Sequence, residues 1–374
     1  MTIPVAREGY VCRFWAAAIV GTGRRMEVYT SVGRPRYGSS GPRIAYNKSM
    51  KAIVVTAFTG PAGLKLMDVP EPVPGASEVL VNVEVVGVNF ADAMGAQGRY
   101  PGGPQPPYIA GREFAGTVAA SGARVMGYCQ FGACAEKIAV PRQALWPQFK
   151  GWSSAQSAAF PVNFLTAWLL YWKAGLVGTG ADPSPIGKPE RPRVLIHAAA
   201  GGVGTACVQL GRLLNIETFG TASSDDKLAR LAEFGLNHAI NYTRDDYEKA
   251  VLDLTRGQGV DAVFDSLGGE NTAKSLRCCA YLGRVILFGT ATGERPKFDT
   301  LALYNKAASA HGLWLSRLAE KTELIEQALR SMMPWVESGD LRPVIGAKFP
   351  LAAVADAYKL LLERKNFGKI VVTI

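Results

Sequence analysis

The stretch Val194-Leu-Ile-His-Ala-Ala-Ala-Gly-Gly-Val-Gly204 decides the fold. It starts as a short apolar run, passes through a turn of small residues and continues into Thr205–Leu214, a run with helical character. Positions 199, 201 and 204 follow a G-x-G-x-x-G frame, with Ala199 in the first slot. Such a turn lets backbone amides approach a pyrophosphate, and the helix N-terminus favours its negative charge. Alone the frame is weak, since a tight structural turn can look the same. Here it follows a strand and opens a helix, which is the context that gives it meaning. Ala200, Gly201, Gly202, Val203 and Gly204 are therefore assigned to a dinucleotide.

Working outward, strand-like and helical runs alternate. Glu217–Gly220 precedes Asp225–Phe234; Val260–Asp265 precedes Asn271–Ala280; Arg284–Phe288 follows. This spacing predicts a doubly wound parallel sheet of the Rossmann type, within an α/β chain. From Met50 to Val162 the sequence has a different texture. Lys51–Thr56 and Val79–Val86 read as strands, and prolines at 70, 72 and 74 and across Pro101–Pro107 mark loops. A barrel-like antiparallel domain is expected there. After Leu341 a strand, a helix (Leu351–Arg364) and a last strand (Lys369–Ile374) are expected to return to it. The expected division is a disordered extension or transit-like tail over 1–49, a substrate domain over 50–162 and 341–374, and a dinucleotide domain over 163–340. Thr179–Arg193, rich in Pro and Gly, reads as a surface insertion.

Composition agrees with an ordered chain. Of 374 residues, 48% are hydrophobic and 19% charged, enough apolar mass to order the backbone. No apolar run approaches the ~20 residues of a membrane span. The net charge of +10 suggests nucleic acid until it is located. Residues 1–49 carry eight basic and two acidic side chains, so the remaining body is close to balanced and a nucleic-acid partner is not expected. The Arg-rich tail resembles a mitochondrial transit peptide in composition; a plain extension, with a cytoplasmic protein, is the preferred reading. The six cysteines, Cys12, Cys129, Cys134, Cys207, Cys278 and Cys279, show no disulfide framework; Cys278 and Cys279 fall in a helix-like stretch.

Which dinucleotide binds turns on the second strand. NAD sites place an acid at its end to hold the ribose 2′-hydroxyl. Here the strand runs into Gly220-Thr-Ala-Ser-Ser224, Glu217 comes too early, and Asp225 and Asp226 suit a helix N-terminus. Ser223, Ser224 and Lys227 offer donors and positive charge to a 2′-phosphate, so NADPH is expected. Ser223 also fits a helix N-cap. The three histidines, His197, His238 and His311, have no Cys or His neighbour at ligand spacing, and no metal is expected.

These segments, with Gly87-Val-Asn-Phe-Ala-Asp92, Gly98-Arg-Tyr-Pro101, Ile240-Asn-Tyr242, Gly259–Ser266 and Gly368-Lys-Ile-Val-Val372, resemble the zinc-independent medium-chain dehydrogenase/reductases. The quinone oxidoreductase branch, with its ζ-crystallin and vesicle amine transport protein subgroups, is the nearest. The resemblance spans Met50 to Ile374 and implies a GroES-like β-barrel domain beside the Rossmann sheet. Zinc-dependent relatives carry Gly-His-Glu where this chain has Gly111-Arg-Glu113. The resemblance further implies that Lys227, Tyr242 and Arg364 meet the 2′-phosphate, that Thr166 lies near the nicotinamide, that Phe288 and Gly289 end a strand at the cofactor face, and that Asn89 and Tyr100 line the substrate cleft as catalytic residues. Asp92 is read as a turn or helix cap. The same resemblance implies a homodimer paired through Ala310–Leu315. One departure stands out: the family loop after Ser121-Gly122 is reduced to Ala123, which predicts strain in the barrel.

The reaction implied is hydride transfer from NADPH to a quinone or other conjugated carbonyl, with Asn89 or Tyr100 steadying the oxygen. Two alternatives remain open. One is an enoyl reductase with Tyr100 as proton donor; the other is an NADPH-binding protein without catalysis.

Overall fold

A computed structural model describes residues 48–178 and 191–374. Most of the extension, Cys12 and most of the insertion read at 179–193 lie outside the described residues.

The dinucleotide half is a six-stranded sheet, in the order His238–Asn241, Glu217–Ala222, Arg193–Ile196, Val260–Asp265, Cys279–Leu287, Ser309–Gly312. All five pairings are parallel. Val194, Leu195 and Ile196 are buried, as a central strand covered on both faces requires. In chain order this is 3-2-1-4-5-6, and the strand order reverses at the first strand. Ligands in such sheets bind beyond the strand ends at that reversal. The turn after Ile196 sits at that point.

The other half is antiparallel. Glu78–Val88 pairs with Glu113–Val118, Lys137–Pro141 and the C-terminal strand Lys369–Thr373. The returning strand Ile345–Pro350 pairs with Lys369–Thr373 in parallel. The valines of Glu78–Val88 alternate into a core shared with Phe114, Ile370 and Val372. The helix Pro161–Lys173 joins the halves, burying Phe164, Trp168 and Tyr171 against the sheet that follows.

Three expectations need correction. The shortened loop causes no break: Glu113–Val118 and Arg124–Tyr128 stay in register, and Gly122 (φ 70°) supplies the left-handed residue the tight turn requires. Val118 N–H donates to Ala123 O at 2.9 Å, closing the hairpin. Cys278 and Cys279 do not share a helix; the first ends the helix Glu270–Cys278 and the second begins a strand. The Ala310–Leu315 segment is a strand only to Gly312, at the sheet edge, and Leu315 opens a short helix. Among the described residues, no helix is long and apolar enough to cross a membrane.

Candidate active site

Between the two halves lies one cavity of about 1290 Å³. Ordinary ligand pockets run to roughly 300–1,000 Å³, so a dinucleotide and a second molecule can share this one. The glycine turn lines it, together with two polar clusters.

The turn is built by close packing. The helix Gly202–Leu213 is capped by Gly201, and its first helical bond is Thr205 N–H to Gly201 O at 2.9 Å. The amides of Gly202, Val203 and Gly204 therefore have no intrahelical acceptor. A Cβ on Gly204 would collide with the carbonyls of Ala198 and Ala199, and one on Gly202 would stand 2.6 Å from the Asn163 amide nitrogen. Ala198 holds φ 49°, so the left-handed residue lies one position before the slot that the frame indicated. Gly368 N–H donates to Ala200 O at 2.8 Å, tying the turn to the last strand. Free amides at a helix start, with glycines that admit close approach, fit a pyrophosphate.

The first polar cluster contains Ser223, Lys227, Tyr242 and Arg364, all lining the cavity. Lys227 Nζ donates to Arg364 O at 2.6 Å, and partial burial lowers the lysine pKa. Ser224 does not line the cavity: its hydroxyl accepts from Lys227 N–H as the N-cap of the helix Asp225–Ala232. The capping role read for Ser223 thus belongs to its neighbour, and Ser223 is free to face a ligand. The two nearby acids have other partners. Asp225 is held by Asn241 Nδ2 (3.0 Å) and Arg244 Nη1 (3.1 Å), and Glu217 by His238 and Arg193.

The second cluster joins side chains from far apart in the chain. Thr166, Phe288 and Gly289 line the cavity with Asn89 and Tyr100. Asn89 caps the helix Phe90–Ala96, and Asp92 accepts from its backbone N–H at 2.8 Å, the capping role expected for that acid. The Asn89 amide is fully engaged. Its Oδ1 accepts from Lys369 Nζ at 2.7 Å, and its Nδ2 donates to Glu113 Oε1 (3.0 Å) and Gly87 O (3.3 Å). The expected oxygen-steadying role for Asn89 is corrected on that ground: both amide hydrogens are already given to protein acceptors. Lys369, 2% exposed, also pairs with Glu113, whose second oxygen accepts from Val162 N–H at 2.7 Å.

Tyr100 is placed differently. Its hydroxyl accepts from Trp314 Nε1 at 2.5 Å and lies 3.3 Å from Ser316 Oγ. Ser316 in turn bonds Tyr128 at 2.6 Å. With the tryptophan donating, the Tyr100 proton remains available to Ser316 or to a ligand. The sequence reading missed Trp314, Ser316, Tyr128 and Lys369 as cavity residues; only Lys369 had a signal, inside the Gly368-Lys-Ile motif.

His197 is a core residue, with Nδ1 3.2 Å from Thr221 Oγ1 and Nε2 3.1 Å from Ser275 Oγ; burial lowers its pKa and keeps it neutral. Among the described residues, no group of three His, Cys, Asp or Glu is arranged to hold a metal ion.

Residues 75–133 match the alcohol dehydrogenase GroES-like domain, and residues 234–372 match the family described as zinc-binding dehydrogenase. The quinone oxidoreductase-like protein 2 homolog of Nematostella vectensis is 32% identical over 378 residues, covering 97% of this chain and 96% of that protein. The synaptic vesicle membrane protein VAT-1 homolog of Rattus norvegicus is 32% identical over 349 residues, covering 86% and 83%. The quinone oxidoreductase of Thermus thermophilus, solved also as a complex with NADPH, superposes with a TM-score of 0.75 at 35% identity, covering 87% of this chain and all of that one. With the glycine turn, the strand order and the barrel in place, the chain belongs to the medium-chain dehydrogenase/reductase family, in its quinone oxidoreductase branch of NAD(P)-dependent oxidoreductases.

Proposed function

We propose that the protein is an NADPH-dependent reductase of quinones or other conjugated carbonyl compounds, working without zinc. The observation that carries the cofactor choice is the Ser223–Lys227–Tyr242–Arg364 cluster, with Asp225 and Glu217 both drawn to other partners. A 2′-phosphate finds donors and a cation there. The Thermus thermophilus relative's NADPH complex supports the same choice. A bound NADPH would supply two electrons and one hydrogen to the substrate carbon, ending as NADP⁺, and water supplies the proton for the oxygen.

This chain's own work is to orient and to exclude water. The glycine turn binds the pyrophosphate. Phe288, Gly289 and Thr166 line the cavity, and the Tyr100–Ser316–Tyr128 chain links the two halves along it. The Asn89–Lys369–Glu113 cluster positions the helix start at Phe90 rather than giving a hydrogen bond to substrate. We further propose assembly as a homodimer through the open edge of Ser309–Gly312, since an unpaired edge is a pairing site.

A second reading, reduction of an enoyl thioester or ketone, is favoured by the Tyr100 hydroxyl, whose proton is free because Trp314 donates to its oxygen. The test follows NADPH oxidation at the nicotinamide absorbance with an ortho-quinone, with a 2-enoyl thioester, and with NADH as control. Quinone turnover with NADPH preferred, and little change in Tyr100→Phe, is the expected result. Thioester-only turnover, abolished in Tyr100→Phe, replaces it with the second reading. Binding of NADPH without turnover of either makes the protein a cofactor-binding module.

A further inference from the structure

Arg112 stands out among the buried groups that the mechanism above does not use. It is 3% exposed, yet it lines the cavity. Its Nε lies 3.2 Å from Asp92 Oδ1, an ion pair whose N–H is not aligned for a hydrogen bond. The guanidinium carbon lies 3.9 Å from the centre of the Tyr100 ring and 4.9 Å from that of Phe131. Aromatic faces attract the charge but accept no conventional hydrogen bond from its N–H groups. Neither terminal nitrogen donates to an acceptor among the described residues.

A guanidinium whose Nε is buried without an aligned acceptor, and whose terminal N–H groups meet no acceptor of the protein, gains from an acceptor supplied by a ligand. The remaining direction is the cavity. Beside it stand Tyr100 and, through Ser316, Tyr128, both reaching the same space. The fork of Arg matches planar oxygen acceptors better than any other side chain does.

We propose that Arg112 is a catalytic residue that binds the substrate oxygen, accepting as ligand a planar carbonyl or carboxylate compound. When the carbon is reduced, the electron pair moves onto that oxygen, and the guanidinium stabilises the charge until a water proton neutralises it. Asp92 anchors the Nε side and leaves the Nη side to the ligand. Tyr100 then acts in part as the surface that holds the guanidinium flat. This rests on the reductase reading for its chemistry, but its binding part is independent of turnover.

The test uses benzoate as the oxygen-bearing probe and 1,2-naphthoquinone as the reducible one. The parent is compared with Arg112→Lys, which keeps the ion pair, and with the double variant Arg112→Met/Asp92→Asn, which removes the cation without stranding its buried partner. Thermal melting establishes folding, and Arg112→Lys alone decides the matter if the double variant does not fold. Benzoate binding is measured by calorimetry with and without NADP⁺. It is expected to weaken about tenfold in Arg112→Lys and to vanish in the double variant. The kcat/KM for the quinone should fall about 10²–10³-fold in the double variant, the range for losing one oxyanion donor, while the NADPH Kd stays within about twofold. Benzoate affinity and kcat/KM within about threefold of the parent in a folded variant, or no benzoate binding to the parent, overturns the proposal. Benzoate binding that depends on Arg112, in a parent that reduces no carbonyl, upholds the anion site and overturns the reductase reading instead.

Discussion

The two ends of the cavity are made by different means. At the cofactor end, one continuous segment, 198–204, supplies the turn, the free amides and the close-packed glycines. At the substrate end, Asn89, Arg112, Tyr128, Trp314, Ser316 and Lys369 converge from five separate stretches, and the hydrogen bonds Tyr128–Ser316, Trp314–Tyr100 and Lys369–Asn89 span 188 to 280 residues. The cofactor end works through backbone dipoles and cations that are only partly covered. The substrate end works through buried charges paired with one another. The first kind of site forbids side chains at its glycines but leaves its surrounding cations replaceable; the second stakes stability on each member.

The largest test of that difference is Lys369→Met. It leaves Glu113 buried, with its second oxygen on Val162 N–H but no cation. Stripping one partner from a buried pair costs about 3–5 kcal/mol, to be read as a lower denaturant midpoint. Lys369→Met/Glu113→Gln should recover much of the loss. A loss below about 1 kcal/mol would break the comparison.

Next comes the Asp92 carboxyl, which burial pushes from 3.8 up to about 6, with Arg112 opposing. Its folded form holds the proton more tightly than the unfolded chain does. The stability it contributes is therefore full below about pH 4 and is lost as pH rises through about 6, by up to about 3 kcal/mol at 1.36 kcal/mol per pKa unit. Arg112, Lys369, Glu113, Tyr108, Tyr358 and Cys134 all act on or feel this group. Unfolding measured between pH 4 and 7 should show this loss in the parent and lack it in Asp92→Asn. Parallel curves for the two would exclude it.

The smallest effect belongs to the cofactor end. Lys227→Ala should raise the NADPH Kd about tenfold, about 1.4 kcal/mol, with the NADH Kd, the quinone KM and the melting temperature little changed. A comparable fall in stability would mean that this end, too, is structural.

The contrast explains what the sequence disclosed. The turn was legible because its strand, glycines and helix are adjacent, and local chemistry dictates each. Ser223 and Ser224 were confused by one position because either hydroxyl satisfies the capping rule, and only the strand's end point decides between them. Arg112 was visible as a departure from a histidine but carried no role, since its partners Asp92, Tyr100 and Phe131 are set by packing. Asn89 was found but misread: its motif marks the position, while the loss of both hydrogens to Glu113 and Gly87 depends on the fold. Trp314 lies in the segment 310–315, which the resemblance marked only for dimer pairing, and Ser316 lies just beyond it.

The pairing of Glu78–Val88 with Lys369–Thr373 has a consequence for biosynthesis. At about 5–20 residues per second, the ribosome delivers the last strand tens of seconds after the first emerges. Until then the Val85–Val88 edge is unpaired, and Glu113 has no cation from Lys369. The parallel sheet, drawn from residues 193 to 312, is synthesised whole before the barrel closes. The nascent chain thus has a cofactor turn ahead of a substrate pocket, and cofactor present during translation would meet that half first.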